Sequence, residues 1–383
     1  MSHNFYPTVS NHRIELLDVL RGFAIIGILL SNILILSGYI FTPFSDLEKM
    51  HLPNLNSKLD LMIGILVRGK FYPIFMILFG AGLYMQFRKS SEQGFLKFFG
   101  WRMFVLVLIG LMHQTFWAGD VVTVYALFAF LLIPMRKMKA KTYLILASIM
   151  FVLHFISYYF LNAYLPTEHP TERIAQLHLP GVGPNELITS VKNDGIAGLW
   201  FITKSQLGFL WTIPRYIRVS PSTVFLFMLG AYLLGTGFFV EKAHKPKYYI
   251  SFLILGVIGT YLMWSYSYSF SIIGNVFLAL FYISVIALIM RSTYGQKFLK
   301  KLAPLGRMAL TNYIMQSIIC ILIFYGVGLG YFAELPLYMV IFVAILILQF
   351  QILFSKYWLK KFKFGPLEGL WRKLTYGKNF NKQ

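Results

Sequence analysis

The sequence predicts an all-α fold, a polytopic transmembrane helical bundle of about ten spans with both termini cytoplasmic, and three observations predict it. Of 383 residues, 57% are hydrophobic and 13% charged, too few polar side chains to cover a water-soluble body of this size. Apolar runs of about 17 to 25 residues, the length that carries a helix through hydrocarbon, recur along the whole chain. The 35 Lys and Arg outnumber the 14 Asp and Glu to give a net charge of +21, and they collect on alternate connections between those runs. A soluble enzyme is excluded by the first observation alone.

Taken in order, the first span covers 22–41, entered through Arg13 and Arg21 with no small-residue cleavage site after it, so it serves as its own insertion signal. An outer connection over 42–70 holds Pro43, Asp46, Glu48, His51 and Pro53. Its apolar stretch Leu59 to Val67 is too short to cross and is expected to lie on the outer interface. Spans follow at 71–87, 101–118, 121–135 and 142–161, the fourth so short that the bilayer must thin around it or its ends must be polar. A long proline-bearing outer region, 162–221, contains the apolar stretch Ile196 to Ile213, interrupted by Lys204, Ser205 and Gln206. Counted as a span, that stretch would put the later basic loops on the wrong side, so it reads as interfacial or re-entrant. The remaining spans are 222–240, 248–267, 271–290, 308–330 and 336–357. Three parts result: a five-span half over 1–161, the outer region 162–221, and a second five-span half over 222–383.

With the N-terminus inside, 26 of the 35 basic residues face the cytoplasm, as the positive-inside rule requires. The positive charge therefore reads as topology and contact with anionic lipids of the cytoplasmic leaflet, and nucleic acid is not an expected partner. Cys320 is the single cysteine, which excludes intrachain disulfides and thiolate clusters. No HExxH, Walker, GxGxxG or GxSxG pattern occurs, the carboxylates are scattered, and no metal is expected. Phe75-Met76-Ile77-Leu78-Phe79-Gly80-Ala81 is echoed by Phe227-Met228-Leu229-Gly230-Ala231, a match that either an internal repeat or small residues at helix contacts explains.

Polar groups within spans carry the functional signal, because a charge there costs at least about 2.5 kcal/mol and faces a cavity or a partner. On the first helix Asp18, Arg21 and Asn32 fall within roughly 40° of one line. They read as a polar stripe, or else as a headgroup-level ion pair plus an interhelical amide. At the outer end of the third span, His113 is followed by Asp120 after a tight turn. A histidine suits proton transfer near neutral pH and a carboxylate fixes its tautomer, whereas a packing histidine beside an N-cap aspartate is the structural alternative. His154, on an apolar face, reads as structural. Entering the ninth span, Arg307 precedes Asn312 and Gln316, two amides on one face that hold a polar ligand or tie helices together.

Five motifs in order resemble one family: Arg13…Leu17-Asp18-Val19-Leu20-Arg21-Gly22…Asn32, then Leu78-Phe79-Gly80-Ala81-Gly82, then His113…Gly119-Asp120…Tyr125-Ala126-Leu127, then Gly306-Arg307-Met308-Ala309-Leu310-Thr311-Asn312-Tyr313…Gln316-Ser317, then Gly365-Pro366-Leu367-Glu368…Trp371-Arg372…Leu374-Thr375-Tyr376. Together they resemble the bacterial YeiB-like family, whose C-terminal half is catalogued as domain of unknown function 418. The resemblance spans nearly the whole chain and implies a multi-pass protein of the bacterial cytoplasmic (inner) membrane.

That family is in turn distantly similar to membrane acyltransferases of the heparan-alpha-glucosaminide N-acetyltransferase type, in which a first-helix Leu-Asp-x-x-Arg-Gly precedes a catalytic histidine. Leu17 to Gly22 matches the opening, but Asn32 stands where the histidine is expected and cannot act as a base. The implied function is transfer of an acyl group from a cytoplasmic thioester to an extracytoplasmic or lipid-linked acceptor. His113 would be the base and Asp120 its orienter. Asp18, Arg21, Asn32, Asn312, Gln316 and Arg307 would form the substrate-binding set, with the two arginines attracting the phosphates of an acyl-coenzyme A donor. No permanently bound cofactor is expected. A small-solute transporter using the same polar groups and a non-catalytic lipid-binding scaffold are the alternatives.

Overall fold

A computed structural model describes residues 14–88, 93–164, 183–210, 213–265 and 270–377. Among them every regular element is helical. In chain order these are α1 (Glu15–Leu36), α2 (Phe44–Leu47), α3 (Pro53–Leu66), α4 (Phe71–Phe87), α5 (Phe95–Gln114), α6 (Val122–Leu131), α7 (Ala140–Tyr164), α8 (Pro184–Asn193), α9 (Ile196–Leu210), α10 (Ile213–Gly235), α11 (Pro246–Ser265), α12 (Ser271–Ile289), α13 (Thr293–Leu299), α14 (Ala303–Arg307), α15 (Ala309–Phe324), α16 (Leu337–Lys361) and α17 (Pro366–Tyr376). A single π turn, Phe238–Lys242, joins α10 to α11.

Every predicted span overlaps a helix, the first displaced from 22–41 to Glu15–Leu36 and the third from 101–118 to Phe95–Gln114. Seven helical runs among the described residues are long and apolar enough to cross a bilayer, and the pair Thr293–Arg307 and Ala309–Phe324, bent by 77° at Met308, makes an eighth if taken as one span. Val122–Leu131 and Ser220–Gly235 are shorter apolar helices. The chain is an integral membrane protein. Its apolar side chains confirm the setting: on α11, Ile250, Ile254, Val257, Ile258 and Tyr261 all point outward and exposed, a continuous apolar face that water would not tolerate but lipid does.

The helix ends redraw three expected boundaries. The stretch Leu59 to Val67 does not stand alone: most of it belongs to the longer α3, which a turn over residues 67–70, with Gly69 at φ +79°, separates from α4. The sixth span begins before 222, because α10 starts at Ile213 and carries Pro221 inside it. Pro214 stands in its first turn, where a fixed φ and a missing N–H suit a helix start. The fourth is the ten-residue α6, only about 15 Å long. Residues 165–182 of the outer region lie outside the described residues.

α10 packs between α4 and α7, and α11 against α12. The sequence echo is the α4–α10 contact itself. A methyl group at Gly80 would run into the Phe227 carbonyl, and one at Gly230 into the Ile77 carbonyl, so each glycine lets the other helix's backbone close in. Tyr72 Oη lies 3.5 Å from Thr223 Oγ1 at one end and Tyr84 abuts Gly235 at the other. The pairing keeps a constant sequence separation, so the two helices run parallel. α1 lies in the protein interior, with Val19, Leu20, Ala24, Ile25 and Leu29 fully buried, against α4, α14 and α15.

Candidate functional site

The α5–α6 hairpin turns tightly because Gly110 on α5 lies against the Thr123 backbone, where any side chain would collide. That closeness brings His113 and Asp120 together: His113 Nδ1 is 2.8 Å from Asp120 Oδ1, and neither side chain has exposed surface. Asp120 Oδ2 accepts the Thr123 N–H at 2.7 Å, capping the first turn of α6. One carboxylate thus makes both the His113 contact and the helix cap. Since the carboxylate accepts from Nδ1, that nitrogen carries a proton, and the other ring nitrogen, Nε2, is buried with no hydrogen-bond partner among the described residues. A proton on Nε2 would be an unsatisfied buried donor, so the atom presents its lone pair.

Aromatic edges hold the imidazole. Phe116 and Tyr313 each place a ring centroid 5.1 Å from it, inclined at 77° and 69°. Tyr313 also ties α15 to the hairpin turn, donating from its hydroxyl to Gly119 O at 3.2 Å and accepting from Val121 N–H at 3.3 Å. Trp117 Nε1, Thr123 Oγ1 and Tyr125 Oη on the same hairpin are also buried without a hydrogen bond to a described residue. Four unsatisfied polar atoms on one short hairpin are unusual in a folded interior, where such groups nearly always find a partner.

Asn312 and Gln316 form a second polar cluster. Asn312 Nδ2 donates to Leu305 O at 3.1 Å and Ser355 Oγ at 2.9 Å. Gln316 Nε2 donates to Ile25 O at 3.3 Å and Gln351 Oε1 at 3.0 Å, and Gln351 Nε2 donates to Asn312 O at 2.8 Å. Because Leu305 O and Ile25 O can only accept, the amide orientations are fixed. Their donors are spent within the protein, and Asn312 Oδ1 alone stays buried and open. Gln351 and Ser355, four apart on α16 and facing the Asn312 and Gln316 pair, escaped the sequence reading although they carry the same spacing.

The first-helix residues separate. Asp18 and Arg21 pair at 3.0 Å. Half-buried Asn32 makes no hydrogen bond with a described residue and joins neither cluster. α14 packs so closely on α1 that a side chain at Gly306 would strike Asp18 O, Gly22 N and the Arg21 Cβ, and Arg307, the next residue along the chain, is exposed. His154 packs by Phe155 and Tyr158. Among the described residues no three His, Cys, Asp or Glu side chains stand together as a metal site.

Below the second cluster, α17 acts as a clamp. Glu368 accepts the Leu310 and Thr311 N–H groups at 2.8 and 3.1 Å and the Thr311 hydroxyl at 2.6 Å, capping α15 just after its bend. Trp371 lies 3.8 Å over the buried Arg102 guanidinium of α5, a cation–π contact that binds α5 to the same clamp.

This arrangement belongs to a chain similar along its whole length to the Uncharacterized protein YxaH of Bacillus subtilis (strain 168), with 30% identity over 97% of this chain and 96% of that protein. The chain belongs to the YeiB-like family. Residues 233–378 match the family model described as Protein of unknown function (DUF418), so the clamp, the second cluster and Arg307 lie within the matched region. The Uncharacterized protein YeiB of Escherichia coli (strain K12) is 28% identical over 94% of this chain and 95% of its own length. An Uncharacterized 39.9 kDa protein in amylase 3'region of Bacillus acidopullulyticus is 28% identical over 98% of this chain and 97% of its own. No solved structure matches this YeiB-like chain.

Proposed function

We propose that this YeiB-like protein is an acyltransferase of the cytoplasmic membrane. It moves an acyl group from a cytoplasmic thioester to an extracytoplasmic or lipid-linked acceptor, with His113 as general base. One observation carries the reading: Asp120 holds Nδ1, and Nε2 is left buried and unpartnered, the arrangement that a base needs. In the reaction Nε2 takes the proton of the acceptor hydroxyl or amine as its oxygen or nitrogen attacks the thioester carbonyl carbon. The carbon–sulfur bond then breaks, and the imidazolium returns the proton to the leaving thiolate. Asp120 orients the ring and offsets its transient charge. Asn312 Oδ1, the open acceptor of the second cluster, suits an acceptor hydroxyl better than a donor carbonyl, because its N–H groups are engaged. Arg21 and Arg307, set near one another by the Gly306 contact, are the groups for donor phosphates, and Asp18 positions Arg21.

The complete enclosure of the dyad and the parallel α4–α10 pair favour one second reading, a solute carrier that uses the His–Asp pair as a proton relay. Purified protein supplied with acetyl-coenzyme A and a bacterial lipid extract separates the two. Acyl transfer releases thiol only when the extract is present, and His113→Gln abolishes it. Absence of extract-dependent thiol release with both short- and long-chain thioesters would overturn the enzymatic reading, and counterflow of an unmodified solute in proteoliposomes would establish the carrier.

A further inference from the structure

A cavity of about 460 Å³ lies between α7, α10, α11 and α12, away from the His113 hairpin and on the opposite side of α10 from Tyr125. Its volume falls within the roughly 300–1,000 Å³ of small-ligand pockets. Aromatic and aliphatic side chains make nearly all of its wall, among them Phe151, Leu229, Phe252 and Phe277. Thr236, Lys242 and Tyr248 line it at or beside the π turn, and Ser148 and Tyr232 are its other polar residues. Lys242 Nζ donates to Thr236 O at 3.1 Å and bonds no other described residue, which leaves two of its three N–H donors, and no carboxylate lines the cavity. Near the π turn, burial and then the charges of Arg291 and Lys245 hold the His244 imidazole below its ordinary range. An apolar cavity that carries an ammonium with no carboxylate in its wall complements a molecule with a hydrocarbon tail and an anionic head.

We infer that this cavity is a binding site for an anionic phospholipid of the surrounding bilayer, one acyl chain lying along Phe151, Leu229 and Phe277 and the phosphate meeting Lys242. The inference is independent of acyl transfer. Surface lysines alone attract anionic lipid diffusely; the apolar wall that shares the cavity with Lys242 selects one molecule and retains it. A bound phosphate also supplies the counter-charge that the π turn lacks, since Glu241, its only acidic residue, is exposed.

The full-length protein in a non-ionic detergent, titrated with dioleoyl phosphatidylglycerol or dioleoyl phosphatidylcholine and followed by native mass spectrometry, tests this. One phosphatidylglycerol should stay bound with a preference of about tenfold over phosphatidylcholine, the equivalent of one charge-assisted hydrogen bond. Lys242→Gln should erase most of that preference. Leu229→Trp should displace the retained lipid by filling the slot, and Val152→Trp, at the exposed rim of the cavity, should weaken it in a variant whose folding is little disturbed. Equal retention of the two lipids by the natural protein, an unchanged preference in Lys242→Gln, or full retention in both tryptophan variants would overturn the assignment.

Discussion

Asp120→Asn separates the capping role of Asp120 from its role at His113 without disturbing the hairpin. In the native arrangement one carboxylate oxygen accepts from Thr123 N–H at 2.7 Å and the other from His113 Nδ1 at 2.8 Å. An asparagine has one acceptor and one donor in their place. Thr123 N–H can only donate, so the amide oxygen must turn toward it, and the amide NH₂ then faces Nδ1. The imidazole answers by moving its proton to Nε2, and the lone pair that a base needs is lost while both hydrogen bonds survive. The cap is kept, because Asn caps a helix about as well as Asp, and stability should fall only by the cost of the one orphaned donor at Nε2, about 1–3 kcal/mol. Asp120→Ala, in contrast, orphans two buried donors at about 1–3 kcal/mol each. Thioester turnover in Asp120→Asn should fall about 10²–10⁴-fold, the range of a lost general base or a wrong tautomer. Histidine-labelled protein examined by ¹⁵N NMR, with the His113 signals identified by their loss in His113→Gln, should show Nδ1 protonated in the natural protein and Nε2 protonated in Asp120→Asn. A protonated Nε2 in the natural protein, or the same tautomer in both, would refute the reasoning whatever the substrate is.

Gly230→Leu should destabilise the protein by about 1–3 kcal/mol or more through overpacking against the Ile77 carbonyl, whereas Gly82→Ala, with no neighbour closer than the tip of Arg21, should melt like the natural protein in a thermal-shift assay. Burial holds the Glu368 carboxyl above its ordinary range against the pull of the Thr311 and Leu310 hydrogen bonds. An acid raised by folding favours the native state most below its unfolded pKa and loses that advantage as pH rises through the folded value. The melting-temperature difference between the natural protein and Glu368→Gln should therefore narrow from about pH 4 upward. The positive-inside rule puts both termini and the Lys139 and Lys300 loops in the cytoplasm, and if it does so, cysteines introduced there on a Cys320→Ser background should resist a membrane-impermeant thiol reagent in intact cells; strong external labelling would reverse that topology.

The helices were legible because their signal is local: ten apolar runs show ten helical positions whatever packs around them. Their ends were less so. Pro214 and Pro221 read as loop formers, yet one starts α10 and the other is carried within it. The short tip of α5 and α6 depends on Gly110 meeting Thr123, a contact between chain segments that spacing does not encode. The His113–Asp120 pair could be read because both residues border a single turn. Gln351 and Ser355 could not, since their partners Asn312 and Gln316 lie on another helix and only the shared spacing of four hinted at a match. Asn32 had the right helical phase for the Asp18 and Arg21 stripe, but phase fixes a direction around the axis and not a partner at that depth.

The two polar clusters meet at α15, where consecutive residues serve opposite neighbours. Asn312 points to α14 and α16, Tyr313 to the α5–α6 turn, as the 100° step between adjacent helical residues demands. The helix that holds them starts immediately after the bend at Met308, and its first N–H groups belong to Glu368 of the clamp. Arg307 lies one residue before that bend and Tyr313 about four residues after Ala309, roughly 6 Å of helical rise. The cap from α17 and the tyrosine that braces the dyad are therefore both set within the first turns of α15, so a shift of α15 would act on the Glu368 and Tyr313 hydrogen bonds together.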